Sequence, residues 1–262
     1  IKMAGIFRFN WGIGSNYSFE YFHGKLNSLI PDSLTLNYYN YTDELNTPGI
    51  PFIEKYIVAH RLNWKITDNL LIGASESVIY GGRGVDINYL IPFSSFWAIQ
   101  NYIGSYDNVQ MCLDLSYDIK NKYQIFGMLF IDELKPSQIL KRDNNNWLAF
   151  QFGINIKNLI KNYDKLLIEF TWTDHRVYNH KFELNNFYSY GFPLGFWAGP
   201  HATFLQFNYN FKISKYLVII NYNQIRKGGL TTQMLEDQYN TIYYERFKDT
   251  VEDRKSFKVE LK

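Results

Sequence analysis

Apolar and polar side chains alternate through much of this chain. In DNVQMCLDLSYDI, Asp107 to Ile119, one parity carries Val109, Met111, Leu113, Leu115, Tyr117 and Ile119, and the other carries Asn108, Gln110, Cys112, Asp114, Ser116 and Asp118. A two-residue period of this kind gives a β-strand one dry face and one wet face. The pattern recurs from Lys55 to Ile66, where Tyr56, Val58, Leu62, Trp64 and Ile66 oppose Arg61, Asn63 and Lys65. It returns in Leu70–Tyr80, Lys122–Leu134, Trp147–Ile156, Lys165–Thr173, His201–Ile213 and the YLVIINYNQI run after Lys215. GIFRFNWGIG, NYSFEYF and SLTLNYYNY are weaker, aromatic-rich candidates, for a total of about ten to twelve strands.

The links between these runs come in two kinds. TDN at Thr67–Asn69, KNK at Lys120–Lys122 and ISK at Ile213–Lys215 are of hairpin length, whereas Gly81–Tyr106 and Asp174–Pro200 are long, aromatic and bear Gly and Pro. Short turns at one end and long loops at the other are the habit of a transmembrane β-barrel. Aromatic residues also gather near strand ends (Tyr56 and Trp64, Tyr117 and Tyr123, Trp147, Trp172, Tyr209 and Tyr216), where an apolar ring with a polar tip suits a membrane interface. A soluble β-sandwich also alternates. Its strands typically have about 5–6 residues, fewer than the runs here, and it does not require the asymmetry of turns. The expectation is therefore an all-β fold, an antiparallel transmembrane barrel or a large fragment of one, with Met111, Leu113 and Leu115 toward lipid and Asp114 and Ser116 toward the lumen. The chain begins inside one strand-like pattern and ends inside another, so 1–262 reads as a single barrel domain truncated at both ends.

Composition removes several other classes. Aromatic residues make up 19% of the chain and charged residues 20%, and the net charge of +2 supplies no field for nucleic acid. The single cysteine, Cys112, has no partner for a disulfide or a zinc knuckle. The longest apolar run, Phe126 to Ile131, is far shorter than a transmembrane helix, while a barrel strand needs only about 9–11 alternating residues.

One stretch carries a resemblance. From Tyr56 to Pro92 the chain reads YIVAHRLNWKITDNLLIGASESVIYGGRGVDINYLIP, a strand with AHRL followed by G-x-S-E-x-V-x-Y-G-G-R-G and a Y-L-x-P corner. This resembles the Wzi-like capsule assembly family of outer-membrane proteins. The likeness continues through DNVQMCLDLSYDI, FGMLFIDEL and EFTWTDHRVYNH…NNFYSYGFPLGFWAGPHA, covering about Tyr56 to Gly229. It implies a barrel of about eighteen strands in the outer membrane of a Gram-negative bacterium, lipid as one partner, and a non-enzymatic role in assembling or retaining surface polysaccharide. A porin-like channel for small solutes and a structural barrel anchoring another envelope complex are the alternatives.

The polar residues offer few chemical constellations. Glu76 and Arg83 flank a Gly-rich corner with Asp86 beyond it; no Lys-Ser/Thr pair follows the glycines, so a phosphate cradle is not expected. An inward Glu76–Arg83 ion pair is expected instead, with Arg61, Asp86 and Asp114 as further polar lumen residues. His175 and His180, near Asp174 and Arg176, have a spacing that suits a metal on neither a helix nor a strand face, and no metal or cofactor is expected. A nucleophilic set drawn from Ser75, Ser77, His60 and Glu76 has nothing to specify its geometry. The long segments, by contrast, combine aromatic rings with amides. Trp97, Tyr102, Asn186, Tyr190 and Trp197 are the candidate polysaccharide contacts, although inward-folded aromatics that plug a barrel would have the same composition.

Overall fold

The computed structural model describes residues 4–38, 51–138, 141, 144–160, 162–237, 245–248 and 251–262. By its described residues the structure is 59% strand and 12% helix, so the all-β expectation holds at the level of a mostly antiparallel protein. The strands are β1 (Ala4–Ile13), β2 (Tyr17–Pro31), β3 (Phe52–Thr67), β4 (Leu70–Gly81), β5 (Asn108–Ile119), β6 (Tyr123–Glu133), β7 (Trp147–Lys157), β8 (Lys165–Thr173), the short β9 (Tyr188–Ser189) and β10 (Phe192–Pro193), then β11 (Ala202–Ile213), β12 (Tyr216–Gly228) and β13 (Val251–Leu261). Helices α1 (Ser33–Tyr38), α2 (Phe96–Ile103) and α3 (Thr232–Glu236) lie in the connections. Among the described residues no helix is long and apolar enough to cross a membrane.

Eleven strands form one sheet in the order β1-β2-β3-β4-β5-β6-β7-β8-β11-β12-β13, and β9 and β10 pair separately. Every neighbour in the large sheet is antiparallel, and β1 and β13 form its open edges; the sheet does not close into a barrel. Because the order follows the chain, connections alternate between the two ends of the strands. The links β1–β2, β3–β4, β5–β6, β7–β8 and β11–β12 join strands at one end; the links β2–β3, β4–β5, β6–β7, β8–β11 and β12–β13 join them at the other. The expected asymmetry of turns is present. At the 120–122 turn, Lys120 and Asn121 both have positive φ (51° and 54°), the twist that best closes a two-residue hairpin.

Directly opposed residues on antiparallel strands point to the same side. One such row runs Trp11, Phe19, Leu62, Ala74, Leu113, Leu129, Phe150 and Trp172, and the adjacent row on that face runs Tyr17, Trp64, Ile72, Leu115, Gly127, Phe152, Phe170 and Leu205. Rows on the other face hold Asn63, Gly73, Asp114, Met128, Gln151 and Thr171, and Asp118, Gln124, Asn155, Leu167, Asn208 and Asn221. The apolar face is the open one: Leu62, Leu113, Leu115 and Phe152 are 44%, 49%, 45% and 55% exposed. Cys112, Asp114 and Ser116 on the polar face are only partly exposed. A soluble sandwich would bury the first set.

Toward the long-connection end both faces are covered. Phe19, Tyr21, Tyr56, Val58, Val78, Tyr80 and Val109 pack under Tyr89 and Phe96 on the apolar side. On the polar side Leu26, Ile57, Ile79, Phe130, Trp147 and Ala149 pack under Val177, Tyr178 and Phe187. Val78, Ile79 and Tyr80 are consecutive and wholly buried, because a strand covered on both faces has no wet parity. Two expectations change here. Tyr56 and Trp147, read as interfacial aromatics, are core residues at 4% and 2% exposure, whereas Trp64, Tyr117 and Tyr216 near the short turns stay open. The SLTLNYYNY segment is not a strand over its described part: Ser33–Tyr38 is helical, with the Asp32 carboxylate accepting from the N–H of Leu34 and Thr35. Residues 39–41 of that segment lie outside the described residues.

Candidate functional site

The long-connection end carries the built polar geometry. Segment 82–107 leaves β4 through a bend at Gly82 (φ +71°), and its two ends are tied together by one guanidinium. Arg83 forks onto the buried Asp107 carboxylate (2.9 and 2.6 Å) and donates from Nε to Asp86 (3.0 Å). The Tyr89 hydroxyl donates to the same Asp107 carboxylate at 2.7 Å, and the Tyr21 hydroxyl donates to the Tyr89 carbonyl. Burial works against the Arg83 charge, but the bonds to Asp107 and Asp86 outweigh it and hold its pKa above the ordinary arginine value. Burial, reinforced by Asp107, keeps the Tyr89 phenol protonated.

The expected Glu76–Arg83 pair does not form. Glu76 lies on the parity of Ala74, Val78 and Tyr80, the apolar face, and not with Ser75 and Ser77. There its carboxylate receives the start of α2, accepting from the N–H of Phe96 (2.8 Å) and Trp97 (2.6 Å) and from the Ser95 hydroxyl (3.3 Å). His60 Nε2 stands 3.3 Å from the same carboxylate, and its Nδ1 pairs with the Pro92 carbonyl. A carboxylate at a helix N-terminus satisfies N–H groups that have no partner inside the helix and favours the local dipole. Ser95 caps the same turn, and Gly104 (φ +108°) ends the helix in the left-handed conformation.

Anchored this way, α2 shows two different sides. Phe96, Ile99 and Ile103 pack onto the sheet core. Trp97, Gln100 and Asn101, spaced at i, i+3 and i+4 and so on one face, line a cleft of about 580 Å³. The opposite wall comes from the ends of β5 and β6 (Val109, Met111, Ile131 to Glu133) and from His180 and Lys181 of the other long segment. Trp97 is 57% exposed there, its ring free to meet a ligand.

Segment 174–200 instead folds across the polar face. Lys55, nearly buried, donates to the Asn186 carbonyl at 2.8 Å, Asp132 accepts the Tyr178 N–H at 2.6 Å, and the Tyr178 hydroxyl accepts the Phe196 N–H at 2.9 Å. Arg176 pairs with Asp174 at 2.9 Å and donates to the carbonyls of Asn144 and Asn146. His175 and His180 are pushed down to about 4, first by burial, with Arg176 adding to the effect at His175 and Lys181 at His180.

The five candidate ligand residues do not converge. Trp97 lines the cleft; Tyr102, on the same helix, is 90% exposed outside it. Trp197 (58% exposed) rests edge-on against Phe204, and Tyr190 forms the turn between β9 and β10 with its N–H bonded to the Asn27 carbonyl. Asn186 is committed to the fold, its side-chain oxygen accepting the His180 N–H. Asn101, one of the amides beside the loop aromatics, joins Trp97 in the cleft, together with Gln100 and Glu133, which the sequence does not single out as ligand contacts.

Of the polar set, Arg61 and Asp114 form a bidentate pair (2.6 and 2.8 Å) on the polar face, and Arg61 Nε donates to Asn63. Gly73 sits beneath that pair, where a Cβ would come within 2.1 Å of Arg61 Nη2 and 2.7 Å of Asp114 Oδ2. Asp86 and Arg83 belong to the 82–107 tie, outside the sheet. Ser75 and Ser77 point to the face opposite His60 and Glu76, so these four do not meet as a nucleophilic set. Among the described residues no three His, Cys, Asp or Glu side chains are placed to hold a metal ion. No protein-family model, curated protein or solved structure matches the chain.

Proposed function

We propose that this chain forms part of a transmembrane β-barrel in the outer membrane of a Gram-negative bacterium, and that its long-connection end helps assemble or retain surface polysaccharide without covalent chemistry. The observation that carries the reading is the inverted sheet: an open face of Leu, Phe, Trp and Tyr backed by a face of Asn, Gln, Asp and Ser. In water such a face would be a contiguous exposed apolar patch, the mark of a membrane or interaction surface. In a bilayer it is the face that lipid solvates, and the polar face becomes the wall of the lumen. The asymmetry of turns and the Wzi-like motifs between Tyr56 and Gly229 support the same reading. Lipid also requires sheet edges to be paired, because unpaired backbone groups cannot rest in hydrocarbon, so in this reading β1 and β13 each take a partner strand in the membrane. The channel alternative draws on the polar face, with its Arg61–Asp114 pair and amide rows; segment 174–200 lies across the end of that face, which favours retention over free passage.

Cysteine labelling in membranes tests the barrel. Positions 113 and 115 should resist water-soluble thiol reagents while 114 reacts; equal reactivity at all three would remove the lipid-facing assignment. Single-channel conductance of the full-length protein separates an open pore from a closed, polysaccharide-holding barrel.

A further inference from the structure

The cleft between α2 and the ends of β5 and β6 has the make-up of a binding site for an uncharged, polyhydroxylated ligand. Trp97 is 57% exposed and lines the cleft. Beside it the side-chain amides of Gln100 and Asn101 make no hydrogen bond within the chain among the described residues, so two amide oxygens and two amide nitrogens remain for a ligand. Ser105 adds a hydroxyl, and the carboxyls of Asp132 and Glu133 outnumber the one lysine, Lys181, with His180 beside them. A ring of carbon-bound hydrogens stacks on an aromatic face, and its hydroxyls both donate to and accept from amides. A site for an anion would instead show an unbalanced cation.

The helix is also held in place before any ligand arrives. Glu76 receives two N–H groups of its first turn, the Arg83–Asp107 fork closes the segment that carries it, and Phe96 is fully buried beneath it. Such preorganisation keeps a shallow site from losing affinity to loop ordering.

From this the geometry points to a glycan subsite in which Trp97 stacks on a neutral pyranose and Gln100 and Asn101 read its hydroxyls. The inference rests on the proposal that this end of the protein meets surface polysaccharide, and it specifies the chemical class: neutral sugar units rather than uronic acids.

The test uses the full chain in detergent micelles, with folding verified by heat-modifiable migration. Equilibrium dialysis against maltoheptaose and against oligogalacturonate compares wild type, Trp97→Ala, Trp97→Phe and Asn101→Ala. Tyr163→Ala serves as a control, exposed (83%) at the opposite end of the sheet. Maltoheptaose should bind the wild type, Trp97→Ala should weaken it about tenfold, the upper range for an aromatic contact, and Trp97→Phe should retain most of the affinity. Oligogalacturonate should bind more weakly. The subsite is refuted if folded Trp97→Ala binds like wild type, if maltoheptaose fails to bind at millimolar concentration, or if oligogalacturonate binds more tightly. The barrel reading is judged separately by the labelling parity at 113 to 115, so either can fail alone.

Discussion

Segments 82–107 and 174–200 leave the same end of the same sheet, and both are rich in Tyr, Phe and Trp, yet they settle on opposite faces. The first lies on the apolar face as a short amphipathic helix held by a carboxylate. The second crosses the polar face with little regular structure, held by a lysine, an aspartate and an arginine that are all nearly buried. The difference lies less in the loops than in the strand ends that receive them. Val78 and Tyr80 make β4 apolar on one side and Ile79 on the other, so both sides needed a cover. Polar groups match each segment to its side, Glu76 taking the start of α2 and Lys55 the Asn186 carbonyl.

Removing a ring from either segment is the harshest way to break this comparison. Phe96→Ala and Tyr178→Ala should each cost about 3–5 kcal/mol at their own face. Hydrogen exchange should rise in 82–107 for the first and in 174–200 for the second; a uniform rise in both would mean that the two covers act as one. Next comes the bare part of the apolar face. Leu113→Arg should lower stability in bilayers by roughly 2–4 kcal/mol, read from urea unfolding in liposomes, with Asp114→Asn affecting mainly the Arg61 pair. Glu76→Gln keeps the shape but loses the charge that α2 meets, a loss of about 1.5–3 kcal/mol that should appear as faster proteolysis between 93 and 104. Polysaccharide lost from a well-folded Glu76→Gln barrel with α2 intact would instead give Glu76 a direct binding role.

The gentlest probe is acid. His175 and His180 stand near 4 in the folded chain against about 6.5 in an unfolded one, so the unfolded segment binds more protons as pH falls. The stability this confers on 174–200 is complete above about pH 6.5 and is lost as pH drops toward 4. Segment 82–107 contains no histidine and is met by one, His60, through Glu76 and the Pro92 carbonyl, so its change in that window should be the smaller of the two. Replacing both histidines with Gln should remove their share of the loss at acid pH, which protease accessibility of wild type and variant at pH 7 and pH 5 would record; the buried Asp132 that holds the Tyr178 N–H is the same in both proteins.

Much of the sheet was legible because alternation is strict where one face alone is covered. From β3 to β8 the strands fall within a few residues of the runs seen in the sequence. The start of α1 was also written there, in the Pro31-Asp32-Ser33 cap, but the aromatic residues that follow favour strands and obscured it. The α2 helix had its signals too: Ser95, the spacing of Phe96, Ile99 and Ile103, and Gly104. Glu76 was misread by attending to the nearby Arg83 instead of to its parity with Val78. What no local pattern discloses is the side on which a long segment lands, since that depends on strands far away in sequence: Ser95 and Phe96 answer to Glu76, and Tyr178 to Asp132.

The strict chain-order pairing of the sheet also bears on how it is built. Closing a loop costs entropy that grows with its length, about 0.6 kcal/mol for each doubling, so the hairpins on 14–16, 68–69, 120–122 and 214–215 form with an advantage of about 2 kcal/mol over pairings that must close 82–107 or 174–201. That difference favours two-strand units forming first, with the long segments drawn in as the units join edge to edge. In this order Arg83, which ties the two ends of 82–107 together, acts as a clasp between the hairpins β3–β4 and β5–β6, and slowing it should delay the joining of finished hairpins rather than their birth.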